Sequence, residues 1–164
     1  MRTLYAIQGG LAGAAAITLV HESIKRVVPR APRMDLLGMS ALEKGLDSMG
    51  ARVTNEQALY VIAMTGDLLS NALYYSMAGL GRKDNALVRG AALGLAAGLG
   101  AVLLPPALGL SSRYSARTTE TKLMTIGLYT LGGIVAAGVM KFLDRHKRQR
   151  IEEWEQRLVT SSMA

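Results

Sequence analysis

The stretch that decides the fold is residues 90–112, GAALGLAAGLGAVLLPPALGLSS, in which 23 consecutive residues carry no charge. An α-helix rises about 1.5 Å per residue, so this run can cross the roughly 30 Å of hydrocarbon in a bilayer. It lacks the polar stripe of a helix at the surface of a soluble domain. It also lacks the period-two alternation of a membrane β-barrel strand. We therefore predict a transmembrane helix here.

Three further apolar stretches accompany this one. Residues 3–20 and 123–140 are uncharged, and residues 57–81 carry a single charge, at Asp67. Each is long enough to cross a bilayer as a helix. The sequence therefore predicts an all-α, polytopic membrane protein that forms a single membrane domain over 1–164. The four predicted spans lie at about 3–21, 57–81, 86–110 and 122–143.

The composition of the whole chain agrees with this architecture. Half of its 164 residues are hydrophobic and only 19% are charged, and the mean hydropathy is +0.23. Together the three values describe a chain that is more apolar than is typical of a soluble domain of this size. The absence of cysteine excludes a disulfide scaffold, a thiolate metal site and a cysteine nucleophile.

The net charge of +7 comes from basic residues that border the apolar stretches. One cluster follows the first stretch, where Pro29 and Pro32 favour extended backbone. The other lies in the helical tail predicted over 144–164. We predict that both bind the headgroups of anionic lipids. The predicted headgroup residues are Lys25, Arg26, Arg30, Arg33, Arg145, Lys147, Arg148 and Arg150.

These basic clusters have two alternative interpretations. The first cluster is explained equally well by ion pairs within the loop, to Glu22 and Asp35. Nucleic acid is not an expected partner, because the tail cluster is short and has no interleaved aromatic residues.

The basic residues divide almost evenly between the two sides of a four-span protein, so they do not fix its orientation. The compact tail cluster favours cytoplasmic termini, and a re-entrant segment in place of one span would remove the conflict with the first loop.

Two segments outside the regular spans have their own patterns. Residues 35–49 place apolar side chains at helical spacing, which predicts a short amphipathic helix at the membrane interface or over the bundle, with Asp35 as its N-cap. Asn55 is the expected start of the second span. Within the third, Pro105 and Pro106 predict that the helix ends or kinks near Leu104.

Small residues recur at helical spacing in three of the apolar stretches. In lipid such faces allow two helix backbones to approach closely. We predict that they pack helices, most simply within this bundle and alternatively in a homo-oligomer or against a partner protein. The glycines concerned are Gly9, Gly13, Gly90, Gly94, Gly98, Gly132 and Gly133.

Asp67 is the one charge inside an apolar stretch, and a carboxylate there costs on the order of 3 kcal/mol to insert. Ser70, Asn71 and Tyr74 follow it at i+3, i+4 and i+7, on the same face of a helix. This polar stripe could hold water, carry protons or bind a polar headgroup. The structural alternative is that Asp67 pairs with a basic residue such as Arg89.

No catalytic or metal-binding pattern occurs in the chain. His21 and Glu22 begin a zinc-protease motif, but the position of its second histidine is occupied by Lys25. Phosphate-binding loops and nucleophile elbows are also missing. We therefore expect neither an enzyme nor a cofactor.

The first fifth of the chain has a Gly/Ala-rich apolar stretch followed by Pro29-Arg30-Ala31-Pro32 and Asp35. In this it resembles small bacterial inner-membrane proteins of the YagU-like kind. The resemblance implies a bacterial inner-membrane location and assigns no functional residue.

Two functions remain. One is a non-catalytic scaffold or accessory subunit that packs partner helices and holds anionic lipids. The other is a small oligomeric channel or proton-coupled transporter that uses the Asp67 stripe. A stripe buried against protein favours the first, and a hydrated cavity that reaches Asp67 favours the second.

Overall fold

A computed structural model describes residues 2–81 and 85–162 of the chain, and all of the regular structure in these ranges is helical. A 3-10 turn, Met77–Gly79, follows the third helix. The α-helices are α1 (Arg2–Val27), α2 (Met34–Ser48), α3 (Glu56–Ser76), α4 (Ala86–Ala107), α5 (Arg113–Ala116) and α6 (Thr119–Ser162).

The four long helices run up, down, up and down. Gly9 and Gly13 of α1 face Ala136 and Gly132 of α6, so α1 and α6 are antiparallel. Corresponding contacts make α3 antiparallel to α1 and α4 antiparallel to α6. The main contacts order the helices as α3, α1, α6 and α4.

This order defines two ends of the bundle. At the "tail end" lie the start of α1, the end of α3, the start of α4 and the part of α6 beyond Met140. At the "loop end" lie α2, α5 and the segments that connect them to the long helices.

Small residues fill the centre of the bundle. Ala14, Ala136 and Ala137 are at most 1% exposed and pack with the larger Tyr75 and Ile17. Large aliphatic side chains point outward instead, and several are about two-thirds exposed: Leu19, Leu73, Val88 and Leu103. The arrangement inverts the usual distribution in a soluble protein, where leucine fills the core.

All seven glycines of the predicted small-residue faces lie between helices of this chain. Gly90, Gly94 and Gly98 face the backbone of α6, and a Cβ atom built on Gly94 would lie 2.5 Å from the carbonyl oxygen of Tyr129. Gly9 and Gly13 meet α6 from α1, Gly132 meets α1 and α3, and Gly133 meets α4. At every one of these positions except Gly132 an added Cβ would meet backbone atoms of the facing helix, so a side chain fits there only if the helices move apart.

The amphipathic segment forms α2, which packs against α3. Its N-cap is Arg33, so the prediction that Asp35 caps the helix is wrong. Asp35 lies inside the first turn and is buried, because its carboxylate is drawn into ion pairs with Arg33 and Lys25. At α3 the cap is Asn55, whose side-chain oxygen accepts from the backbone N–H of Ala58 at 3.0 Å.

The sequence predicts that α4 ends or kinks near Leu104, and the structure shows that it does not end there. The helix continues through both prolines to Ala107 and closes at Gly109, where φ is +67°. The N–H of Leu110 donates to the carbonyl of Pro105 at 2.7 Å. Each proline lacks an N–H group, so the helix loses two backbone hydrogen bonds there.

Three of the helices are long and apolar enough to cross a membrane: Thr3–Val27 in α1, Ala86–Ala107 in α4 and Thr119–Leu158 in α6. The sequence predicted four. Of the four predicted spans, the one outside this set is α3. At 21 residues it is long enough, but Asp67, Ser70 and Asn71 make it less apolar.

Candidate functional site

A groove opens between α3 and α4, which follow one another in the chain but make few contacts. Its volume is about 480 Å³. Tyr129 of α6 forms part of its floor, and α2 contributes Leu37 and Ala41 at the loop end. We call this cleft the α3–α4 groove. The middle of its α4 wall is made of small residues, namely Ala96, Ala97, Gly100 and Ala101, and Leu104 and Pro105 continue it toward the loop end.

Asp67 lies on the α3 wall of the groove and is partly buried. Two polar groups influence its carboxylate: the amide of Asn71, one turn further along α3, and the ring of His21 on α1. His21 is only 3% exposed, and its Nε2 lies 3.0 Å from the carbonyl oxygen of Pro32. Asp67 therefore has a polar neighbour one turn along its own helix, Asn71, and also lines the groove.

The structure divides the rest of the predicted polar stripe. Tyr74 lines the groove, and its hydroxyl donates to the carbonyl of Leu93 on α4 at 3.0 Å. Asn71 is buried, whereas Ser70 is exposed and donates to the carbonyl of Asp67 within the same helix. The Tyr74 hydrogen bond joins α3 to α4 toward the tail end, and the groove opens toward the loop end.

Arg89 does not supply the partner that the sequence proposed for Asp67. Its Nε donates to the carbonyl of Ala78 at 3.2 Å, at the tail end of the bundle. Sequence reasoning also missed Tyr75, which is fully buried and donates to the carbonyl of Tyr129 at 2.8 Å. Its neighbour Tyr74 drew attention through its spacing from Asp67, and nothing local marks Tyr75 as the buried member of the pair.

The basic cluster after α1 forms ion pairs within the protein. Lys25 Nζ lies 2.5 Å from Glu22 Oε1 and 3.1 Å from Asp35 Oδ2, and Arg33 reaches the same Asp35 oxygen at 3.0 Å. Burial opposes ionisation of Asp35, but the hydrogen bonds from Arg33 and Lys25 outweigh it and lower its pKa to about 2. This network, with its buried carboxylate, fastens the end of α1 to the start of α2.

The remaining predicted headgroup residues of the first cluster lie at the surface. Arg30 pairs with Glu120 of α6 at 2.7 Å, and both side chains are exposed. Arg26 is also exposed. Lys25 and Arg33 thus pair with Glu22 and Asp35, as the ion-pair alternative proposes, whereas the partner of Arg30, Glu120, lies outside this loop.

A second pocket, of about 260 Å³, lies at the tail end. Arg145 and Arg148, two of the predicted headgroup residues, line it. Lys147 and Arg150 lie on another side of α6, along a shallow surface with Trp154. We call the first of these the tail-end pocket, and its charged and aromatic lining residues are Tyr5, Arg89, Lys141, Asp144, Arg145 and Arg148.

Within the described ranges, no group of three or more His, Asp or Glu side chains is arranged to hold a metal ion. Comparisons with protein-family profiles, curated proteins and solved structures give no match for this chain. The functional argument therefore rests on the groove, the pocket and the surface of the bundle.

Proposed function

We propose that this protein is an integral membrane protein that acts as a scaffold or accessory subunit, with the α3–α4 groove as its docking site for a partner helix. The membrane location is supported by three long apolar helices and by a bundle surface of exposed leucine and valine. In water an apolar surface of this extent would drive aggregation. In lipid it costs nothing, and small residues inside the bundle give the helices their close packing.

The direction of the chain supports a fourth crossing. α1 and α4 point the same way, so α1 ends at the loop end while α4 begins at the tail end. If both cross the bilayer, the chain must return between them, and α3 is the helix that spans this distance. Its polar residues are compatible with that position because Asn71 is buried and Asp67 faces the groove.

The observation that carries the docking proposal is the pairing of a small-residue wall with a carboxylate. On α4, Ala96 and Gly100, and likewise Ala97 and Ala101, are four residues apart, which is the spacing at which another helix packs closely. The Asp67 carboxylate lies opposite this wall, and at membrane depth a carboxylate is stabilised by a hydrogen-bond donor or a cation. The partner is therefore expected to be a transmembrane helix with a basic, hydroxyl or amide side chain near its centre.

The mostly apolar lining of the groove favours a helix over a path for water or ions. Permeation through the Asp67 stripe would need a continuous hydrated route, and Tyr74 closes the groove toward the tail end by its bond to Leu93. The scaffold is for this reason preferred to a channel or proton-coupled transporter.

Site-specific photo-crosslinking in native membranes tests this proposal. A photoreactive amino acid at Ala97, in the groove, is expected to give a discrete protein adduct. The same residue at exposed Ala92, on the same helix but outside the groove, is the matched control and is expected to give lipid adducts only.

The substitution Asp67→Asn separates the outcomes further. It is expected to weaken the Ala97 adduct several-fold while leaving expression unchanged. An adduct of twice the chain mass would identify a second copy as the partner. Equal protein adducts at Ala92 and Ala97, or none at either, would contradict the docking proposal.

A further inference from the structure

The tail-end pocket lies where the uncharged parts of the bundle stop. Arg89 immediately precedes the uncharged run of α4, and Lys141 immediately follows that of α6. Both residues line the pocket, together with Tyr5 near the start of α1. In a membrane-embedded bundle this level is the boundary between hydrocarbon and headgroups, where basic and aromatic residues are enriched.

The charge of the pocket favours an anion. Among the described residues, four basic side chains line it, from Arg89, Lys141, Arg145 and Arg148, against one carboxylate, that of Asp144. Asp144 is itself paired with Arg148, at 3.4 Å. Arg89 belongs to α4 and the other three basic residues belong to α6. The basic groups therefore line a concave space between two helices.

The start of α4 adds to this preference. Ala86, its first residue, lines the pocket. The N-cap Asn85 makes no side-chain capping hydrogen bond, and the first turn contains no acidic residue. A helix start of this kind carries partial positive charge and stabilises an anion beside it.

We propose that the tail-end pocket binds the phosphate group of an anionic phospholipid. The inference rests on the membrane location proposed above. The volume of about 260 Å³ gives room for a phosphate group. Leu87 and Val88 are exposed beside it on α4 and offer the chains an apolar surface.

Native mass spectrometry of the full chain in mild detergent tests the site. The chain is mixed with equal amounts of phosphatidylglycerol and phosphatidylcholine, and the retained lipid is counted. The pocket variant Lys141→Gln/Arg145→Gln leaves the Arg89 bond to Ala78 intact. At about 1 kcal/mol per basic residue near a membrane surface, it is expected to bind phosphatidylglycerol about 30-fold more weakly.

The matched control is Lys147→Gln/Arg150→Gln, which removes the same charge from the same helix outside the pocket. It is expected to change binding little. Equal losses in both variants would overturn the pocket and leave only diffuse surface charge. The conservative Arg145→Lys is expected to keep binding, and circular dichroism verifies that each variant retains its helices.

Inorganic phosphate distinguishes the two sources of the ligand group. If it displaces the lipid completely at low concentration, and no phospholipid is retained after purification, free phosphate is the ligand and the lipid assignment is wrong. Alkaline carbonate extraction separates this failure from that of the proposed function. Release of the chain from membranes would overturn the membrane location, whereas a chain that stays in the membrane without lipid preference overturns only the pocket.

Discussion

At the scale of single residues, the polar groups of this chain have unequal roles. Asp35 is buried among cations and holds two helices together, while Asp67 faces an open groove. The sequence marked Asp67 because it interrupts an apolar run. The burial of Asp35 is not visible in the same way, because its partners Lys25 and Arg33 lie on either side of a proline-containing turn.

The lowered pKa of Asp35 makes a prediction about acid stability. Because the pKa of Asp35 is about 2 in the folded chain and 3.8 when unperturbed, ionised Asp35 stabilises the fold above about pH 4. That stabilisation, on the order of 2 kcal/mol, is lost as the pH falls from about 4 to 2. Asp35→Asn is expected to lower the free energy of unfolding by a similar amount at pH 7, with the difference from wild type vanishing near pH 2.

Denaturant titration in detergent at several pH values measures this effect. Asp47→Asn is the control, because its ion pair with Arg52 is exposed on both sides and is expected to contribute less than about 1 kcal/mol. Equal behaviour of the two variants across the pH range would show that the Asp35 pairs do not stabilise the fold.

A second prediction concerns Gly94. A methyl group there would lie 2.5 Å from the carbonyl oxygen of Tyr129 and 2.6 Å from Thr130 Cα, both of which are backbone atoms that cannot rotate away. Gly94→Ala is expected to destabilise the bundle by about 1–3 kcal/mol. Gly127→Ala, in α6 with open space around it, is expected to be neutral or stabilising by up to about 1 kcal/mol.

Thermal unfolding of the two glycine variants, monitored by circular dichroism, decides the matter. Both changes add the same methyl group to a helix, so intrinsic helix preference cancels from the comparison. If Gly94→Ala melts at or above the temperature of Gly127→Ala, the close contact of α4 with α6 does not exist.

At the scale of whole elements, α3 differs most from its neighbours. α1, α4 and α6 are apolar enough to be recognised as spans from composition, while α3 combines exposed Leu69 and Leu73 with Asp67 and buried Asn71. In the chain α3 lies between α1 and α4. We infer that it is a span because those two helices point in the same direction. Hydropathy treats each segment alone, so it does not see this constraint.

If α3 crosses the bilayer, Ser48 after α2 and Thr160 in the tail lie on opposite sides of the membrane. If α1, α4 and α6 alone cross, the two positions lie on the same side. The chain has no cysteine, so Ser48→Cys and Thr160→Cys can be labelled one at a time without background. We expect a membrane-impermeant maleimide to label only one of the two in sealed vesicles of one orientation.

Solubilised samples, in which both cysteines must react, provide the control for access. Labelling of both positions, or of neither, in intact vesicles would place them on one side and remove α3 from the set of spans.

At the scale of the whole molecule, the features that the sequence predicted correctly are the local ones. Uncharged runs predicted the long helices, and the capping preference of asparagine predicted the start of α3 at Asn55. The end of α4 was predicted too early, because the helix continues through Pro105 and Pro106 to Ala107 in spite of the two missing N–H groups.

The candidate sites were harder to predict, since each depends on which helices become neighbours. The groove exists because α1 and α6 separate α3 from α4 over much of their length. The tail-end pocket unites Arg89 with Lys141, which are far apart in the chain. Spacing within one helix predicts which residues share a face, but not what that face meets.

The length of α6 gives the molecule a built-in optical reporter. Beyond Lys141 the helix continues for about 30 Å to Ser162, and it carries Trp154, the only tryptophan of the chain, about 20 Å from that residue. This indole is largely exposed. Tryptophan emission therefore follows the surroundings of the tail and ignores the bundle, so it shifts to shorter wavelength when the tail lies down on a bilayer or meets another protein. A water-soluble quencher then distinguishes a tail that stands free from one that is covered.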